Sequence, residues 1–169
     1  MIKVLSSAMT LVLVLSSAGL AVADDTSDLQ VAREAEERSD YAAEERLLRP
    51  LAEQGNADAQ FMLASLYFNG EGAAERYDEA VSWYLKAADR GNARAQEKLG
   101  LIYREGLRVP HDYVQAHKWL SLSAAREKPG VARLRVAQEL RTTSTQMTPP
   151  QIIEARKLAR EWAPAATGK

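Results

Sequence analysis

Apolar residues recur along this chain at the spacing of helix faces. One stripe follows the i, i+4, i+7 pattern of an amphipathic helix and occurs twice, as Ala59, Leu63 and Leu66, then as Ala95, Leu99 and Ile102. A second stripe also occurs twice, as Ala80, Trp83 and Ala87, then as Ala116, Trp119 and Ser123. In both cases the copies are 36 residues apart. The pattern predicts pairs of helices that repeat along the chain.

The repeat extends beyond these stripes. Residues 55–90 align with residues 91–126 without a gap, and thirteen of the 36 aligned positions are identical. A weaker copy precedes them, in which Tyr41 occupies the position of Tyr77. Stacked helix pairs bury a continuous core in this way. The predicted units are a degenerate first helix pair at residues 24–54, repeat 1 at 55–90 and repeat 2 at 91–126.

Capping residues place the ends of these helices. Glycine at Gly55 and Gly91 suits the left-handed residue that follows a helix, and four residues are typical N-caps: Asp40, Asn56, Asn92 and Asp112. Arg76 stands where aspartate caps the neighbouring copies, so the start of that helix is less well marked. The predicted helices are 27–38, 41–53, 57–69, 77–89, 93–105, 112–126, 130–142 and 149–162.

The beginning of the chain has the form of a secretory signal. Lys3 precedes a short apolar run at residues 8–15, and Ala21 and Ala23 give the small-x-small pattern of a cleavage site. We therefore expect residues 1–23 to be a signal peptide, removed on export to the periplasm or out of the cell. An uncleaved membrane anchor is the alternative, although the apolar run is short for a membrane span.

The other end of the chain departs from the repeat. Pro129 and Gly130 break the register, and Thr148, Pro149 and Gln151 then form a helix start with a capping-box pattern. Residues 127–163 are expected to form C-terminal capping helices that cover the end of the stack, and residues 164–169 a frayed tail.

Composition narrows the function. The net charge of −1 argues against nucleic acid, which needs a basic face, and gives no reason to expect attraction to an anionic membrane surface. No stable membrane insertion is expected after signal cleavage. The chain has no cysteine, so neither disulfides nor a lipidated cysteine are available to it. The fold must be held by packing alone.

The repeated residues carry a family resemblance. The pattern Ala95-x₃-Leu99-Gly100-x₂-Tyr103-x₂-Gly106, with its earlier copy from Ala59, resembles the first helix of the Sel1-like repeat family, a branch of the tetratricopeptide-like solenoids. Residues 109–125 resemble its second helix. The resemblance implies an all-α fold, a short right-handed superhelix of antiparallel helix pairs, that acts as an adaptor in protein complexes. Some exported members carry a disulfide in each pair, and this chain departs from them.

Candidate chemistry is sparse. His111 and His117 fall in one segment with Asp112, but a metal site needs three or four converging ligands, so variable loop and helix positions explain them better. Charges of both signs between Arg33 and Arg46 are typical of a solvated helix face. Four aromatic residues repeat with the 36-residue period and are expected in the core: Tyr67, Tyr103, Trp83 and Trp119. We predict no catalytic residue, no metal and no cofactor.

The surface best suited to binding is the concave face that the first helices of the pairs build by stacking. The family's concave positions correspond here to Asp58, Phe61, Ser65 and Phe68 in repeat 1, and to Arg94, Glu97, Leu101 and Arg104 in repeat 2. The positions of Phe61 and Phe68 hold the charged residues Glu97 and Arg104 in repeat 2, and core positions would not make that exchange. The contrast predicts an apolar pocket beside a charged one, suited to a peptide. Packing of the two phenylalanines against the first helix pair is the alternative.

The leading functional hypothesis is therefore a non-enzymatic adaptor that binds a protein or peptide partner on its concave face, in the cell envelope or outside the cell. A carbohydrate- or cell-wall-binding envelope module is the alternative, and it requires aromatic rings exposed in a groove. A hydrolase that uses Asp and Glu alone is a third hypothesis, and it is disfavoured because an open solenoid rarely closes the pocket that such chemistry needs.

Overall fold

The computed structural model describes residues 25–70 and 76–164, and these residues form eight α-helices and no strand. The predicted signal peptide at residues 1–23 and most of the predicted tail lie outside the described residues. The helices are α1 (Asp25–Glu37), α2 (Tyr41–Glu53), α3 (Ala57–Asn69), α4 (Tyr77–Asp89), α5 (Ala93–Glu105), α6 (Tyr113–Arg126), α7 (Val131–Ser144) and α8 (Pro149–Glu161). The predicted all-α solenoid is confirmed.

The helices begin where the capping residues predict. The side chains of Asn56 and Asn92 accept hydrogen bonds from backbone N–H groups in the first turns of α3 and α5, and Asp40 and Asp112 do the same for α2 and α6. Each bond satisfies a donor that the helix itself leaves unpaired. Helix α4 begins without such a bond, because Arg76 occupies its N-cap position and has no side-chain acceptor to offer.

Two glycines shape the turns between the helix pairs. Gly55 and Gly91 adopt φ values of +96° and +86°, which side-chain-bearing residues rarely adopt. The last residue of each repeat, an arginine, packs its side chain over the glycine that begins it, Arg90 over Gly55 and Arg126 over Gly91. The same turn is therefore built twice, once at each junction.

Each helix packs mainly against its neighbours in the chain, and two core clusters result. The first lies among α1 to α4, and the second among α3 to α6 with the end of α8.

A side-chain amide ties each first helix to the pair before it: Gln60 Nε2 donates to the Ala52 carbonyl at 2.9 Å, and Gln96 Nε2 donates to the Ala88 carbonyl at 3.0 Å. Both glutamines are buried, so these bonds lie inside the stack.

The C-terminal helices both pack against α6. Helix α7 lies on one side of it and also touches α5, whereas α8 contacts α6 and hardly touches α7. Ala155 of α8 is buried, and Ala159 and Trp162 pack against the second core cluster. The Arg126 guanidinium lies 4.4 Å from the centre of the Trp162 ring. The end of repeat 2 is thus covered by two helices that do not form a pair with each other.

Candidate functional site

A cleft of about 260 Å³ opens among the first helices of the pairs, on the side predicted to be concave. A cavity of about 150 Å³ admits benzene, so this cleft has room for a large apolar side chain. Helix α1 forms one wall, α3 the floor, and α5 the far rim. The lining residues are Arg33 and Glu36 from α1, Glu44 from α2, Phe61, Met62, Ser65, Leu66 and Asn69 from α3, and Arg94 from α5.

The floor of the cleft is apolar and fixed. Met62 and Leu66 are buried in the first core cluster, and Phe61 packs against both clusters. The Ser65 hydroxyl donates to the Phe61 carbonyl and lies 3.0 Å from the Tyr84 phenol oxygen. Burial raises the pKa of Tyr84 to about 12, so this phenol stays neutral at physiological pH. Ser65 is therefore held by two contacts beneath the surface of the cleft.

The rim of the cleft is charged. The Arg94 guanidinium lies 4.5 Å from the centre of the Phe61 ring, and it is 3.3 Å from Asp58 Oδ1. Asp58 also accepts a hydrogen bond of 2.8 Å from the Asn92 side chain. Three of the predicted binding residues, Asp58, Phe61 and Arg94, thus form one continuous group across two repeats.

Phe68 belongs to a different part of the surface. Its ring contacts Tyr77 edge-on at a centroid distance of 5.4 Å and Tyr84 at 6.1 Å, and it does not line the cleft. The helix spacing that unites Phe61 and Phe68 in the sequence therefore does not make them one pocket. Tyr84 lies 5.8 Å from Phe61 as well, so the two phenylalanines flank a shared buried ring.

The predicted residues of repeat 2 make contacts within the chain. Glu97 is buried and accepts a hydrogen bond of 2.8 Å from Arg135 of α7. Arg104 forms ion pairs with Glu139 of α7 and with the adjacent Glu105. Leu101 between them is half-buried. Helix α7 therefore occupies the part of the first-helix face that Glu97 and Arg104 would otherwise offer to a partner.

Sequence reasoning missed the contribution of the first helix pair to the cleft. The prediction that the charged run from Arg33 to Arg46 is a solvated face holds for the exposed Glu34 and Glu37, but it is wrong for Glu44, which is only 2% exposed. Glu44 lies one helical turn after the Asp40 N-cap and faces α3. The helix periodicity of α2, in which Glu44 shares a face with Leu48 and Leu51, contained that signal.

The two histidines lie in different surroundings. His111 lies with its Nδ1 2.7 Å from the Arg104 carbonyl oxygen, whereas His117 is buried with its Nδ1 3.2 Å from the Ser121 hydroxyl. Burial lowers the pKa of His117, and the charge of Arg156 lowers it further. Within residues 25–70 and 76–164, no three His, Cys, Asp or Glu side chains converge on a position that would hold a metal ion.

The tryptophans do not provide an exposed stacking platform. Trp119 is buried, and the Lys118 ammonium lies 4.0 Å from the centre of its ring. Trp83 is half-buried, and the Lys86 ammonium covers it at 3.7 Å. Both rings therefore pack in the core, and a lysine ammonium group lies over each of them.

In the part of the chain that the structure describes, none of the helices has the length and hydrophobicity to cross a bilayer.

Comparison with known families agrees with this architecture. Residues 57–92 and 93–127 match the model of the Sel1 repeat. These segments are α3–α4 with the following turn, and α5–α6, so the family model divides the chain at the same junctions as the 36-residue period. The chain therefore contains two Sel1 repeats, at residues 57–92 and 93–127. A comparison with curated protein sequences finds no match.

Solved structures of the same fold are also similar to this chain. One is a protective antigen present in uropathogenic Escherichia coli strains and displaying an SLR fold, with 26% identity and a TM-score of 0.75 over 83% of this chain. Another is a Sel1 repeat protein from Oxalobacter formigenes, with 26% identity and a TM-score of 0.60 over 79% of this chain. The chain spans 30% of the first and 55% of the second. Sel1 repeats are generally protein-interaction modules and generally lack catalytic activity.

Proposed function

We propose that this chain is an adaptor that binds a protein or peptide partner in the cleft among α1, α3 and α5. The observation that carries the proposal is the combination of an apolar floor with a charged rim in a space of about 260 Å³. An apolar side chain of the partner would lie mainly on the half-buried Phe61 ring, because Met62 and Leu66 beneath it are buried, and there it would remove apolar surface from water.

The rim supports a preference for a partner segment that carries charge next to its apolar anchor. Arg33 and Arg94 contribute positive charge from opposite sides, and Glu36 contributes a carboxylate. Arg94 is half-exposed and already oriented by Asp58, so it is placed to receive a carboxylate without a large loss of side-chain freedom. The partner's anchor would then be flanked by at least one Asp, Glu or C-terminal carboxylate.

We further propose that the adaptor works in the periplasm or outside the cell. The support is the signal-like segment at residues 1–23, with Lys3, the apolar run at 8–15 and the small residues at 21–23. N-terminal sequencing of the protein from an extracytoplasmic fraction would give Asp24 as the first residue. Recovery of the intact N-terminus in the cytoplasm would contradict export.

Binding to the cleft is tested with a random peptide library displayed on phage and the purified chain as bait. Enriched peptides are synthesised, and their affinity is measured by titration calorimetry. Charge reversal at the rim, Arg33→Glu with Arg94→Glu, is expected to weaken binding by about tenfold or more, because it places like charges against the partner's carboxylate. A second variant, Met62→Lys, places a charge in the floor.

The matched control reverses two exposed cations away from the cleft, Lys86→Glu with Lys98→Glu. It changes net charge by the same amount and leaves the cleft intact, so peptide affinity is expected to stay within about twofold of that of the parent chain. Peptides that bind equally well to the rim variant and the control would contradict the proposed site. A library that yields no binding peptide would contradict the peptide-binding function.

A further inference from the structure

The two ends of the stack carry opposite charge. Residues 25–70 contain ten Asp or Glu and four Arg, a net charge of −6, whereas residues 127–164 contain four Glu and seven Lys or Arg, a net charge of +3. The net charge of the chain is nearly zero, but its charges are separated along the stack, with the acidic residues at one end and the basic residues at the other. Such a distribution orients the approach of any charged partner.

The outer face of α7 is apolar and basic. Val131 and Leu134 are 85% and 71% exposed, and Gln138 and Arg141 continue the same helix face at spacings of four and three residues. Arg133 and Leu134 line a shallow cavity with apolar walls, together with Pro129, Gly130 and Ala137. Terminal helices of repeat arrays normally present a polar outer face, and α7 departs from that rule.

The outer face of α1 is the complement of this surface. Helix α1 contains five acidic residues and one arginine, and its exposed side carries Glu34 and Glu37 beside Val31, which is 42% exposed. Its buried side, with Leu29, Ala32 and Ala35, faces α2 and the core. The acidic side is therefore the surface that the N-terminal end of the stack presents.

We propose that copies of this chain associate head to tail, with α7 of one copy packed against the outer face of α1 of the next. Val131 and Leu134 meet Val31, and Arg133 and Arg141 lie opposite Glu34 and Glu37. The two surfaces differ, so the contact is heterologous and can propagate from copy to copy. A second copy fits better than an anionic lipid surface, because α1 supplies an apolar residue and paired carboxylates on a helix of matching length, 13 residues against 14.

Sedimentation equilibrium of the purified chain over a concentration series tests this contact. At low salt the weight-average mass is expected to rise with concentration above that of one chain, and in about 1 M NaCl the association is expected to weaken by about tenfold or more, because the Debye length falls to about 3 Å. A chain that stays monomeric at every concentration would overturn the proposal.

Charge reversal at each end identifies the two surfaces. Arg133→Glu with Arg141→Glu, and separately Glu34→Arg with Glu37→Arg, are each expected to weaken association by about tenfold or more. An equimolar mixture of the two variants is expected to associate again, because every α7 then meets an α1 of opposite charge. Loss in one variant only, or no recovery in the mixture, would overturn head-to-tail pairing.

Two further measurements keep the result interpretable. Leu134→Asn removes the apolar part of the contact without changing charge, and its exposed position leaves the fold intact, so weaker association is expected from it as well. Lys86→Glu with Lys98→Glu serves as the control and is expected to associate like the parent chain. Co-sedimentation with phosphatidylglycerol vesicles, with no self-association in solution, would show that the basic face serves a membrane and would overturn the proposal.

Discussion

The phenol oxygen of Tyr67 lies 2.7 Å from Glu45 Oε1 and donates a hydrogen bond to it. Arg49 and Arg76 converge on the same carboxylate, so a buried tyrosine of repeat 1 is tied to the first helix pair by a charged network. Partial burial raises the pKa of Glu45, but these three hydrogen bonds outweigh it, and the pKa lies below its ordinary value. Burial and the bond to Glu45 raise the pKa of Tyr67 to about 12.

Removing the Tyr67 hydroxyl is expected to destabilise the protein. Tyr67→Phe should lower the free energy of unfolding by about 1 to 2 kcal/mol, because the lost bond goes to a charged acceptor that remains partly buried. Urea denaturation followed by circular dichroism measures the change. Tyr103→Phe is the matched control, since the network positions one repeat later hold Val81, Leu85 and Asp112. Equal losses in the two variants would contradict the role assigned to the network.

Gly100 marks the closest approach of α5 and α6. A Cβ atom added at this position would lie 2.5 Å from Leu120 Cγ and 3.2 Å from the Ala116 carbonyl oxygen. Gly100→Ala is therefore expected to destabilise the protein by about 1 to 2 kcal/mol, although alanine favours the helix by about 1 kcal/mol. Chemical denaturation provides the measurement.

A double-mutant cycle separates this clash from other causes. Leu120→Ala alone is expected to cost about 2 to 5 kcal/mol through the cavity it leaves. Combined with Gly100→Ala, the cost should fall clearly below the sum of the two, because the added methyl group then occupies vacated space. Strict additivity would show that Leu120 is not the obstacle.

Helix α7 is expected to depend on its ion pairs with α5. Arg135→Ala leaves the carboxylate of Glu97 buried without that donor, and we expect a cost of about 1 kcal/mol, reduced because Arg135 itself is 62% exposed. Hydrogen exchange read by mass spectrometry should show faster exchange in Val131–Ser144 than in the parent chain. Arg156→Ala on α8 is the control, and equal acceleration of α7 in both variants would contradict the specific role of Arg135.

The stability of the protein is expected to fall as the pH drops below about 6.5. The pKa of His117 lies below that ordinary value because the ring is buried, so the unfolded chain takes up a proton at a higher pH than the folded chain does. The contribution is complete above pH 6.5 and is lost between 6.5 and the lowered pKa, with a slope of at most about 1.4 kcal/mol per pH unit. His117→Gln should flatten the profile in this window, and His111→Gln should not; identical profiles for the two variants would contradict the assignment.

The 36-residue period and the capping residues were sufficient to predict the helices. Asn56 and Asn92 act within the next turn of their own chain segment, so local sequence determines what they do. The same holds for Gly55 and Gly91, where the required backbone conformation is itself local. For this reason the predicted helices coincide with the observed ones at ten of sixteen ends and differ by one or two residues at the others.

The candidate site was predictable only in part. Phe61 and Arg94 lie one repeat apart along the stack, so the family's concave positions place them on the same face. The partners of Glu97 and Arg104 lie on α7, outside the repeat, and no periodicity relates positions 97 and 135 or 104 and 139. Tertiary packing of a non-repeated helix decides those contacts, and the sequence pattern contains no signal for it.

Helix α8 packs against α6 rather than against α7, so the last three helices do not stack in the order in which they occur in the chain. Helix α7 is held mainly by α6, with a smaller contact to α5, so it can open while α6 and α8 stay packed against each other. We expect this opening to cost less free energy than global unfolding. The usable groove would then be short when α7 is seated and longer when it is released.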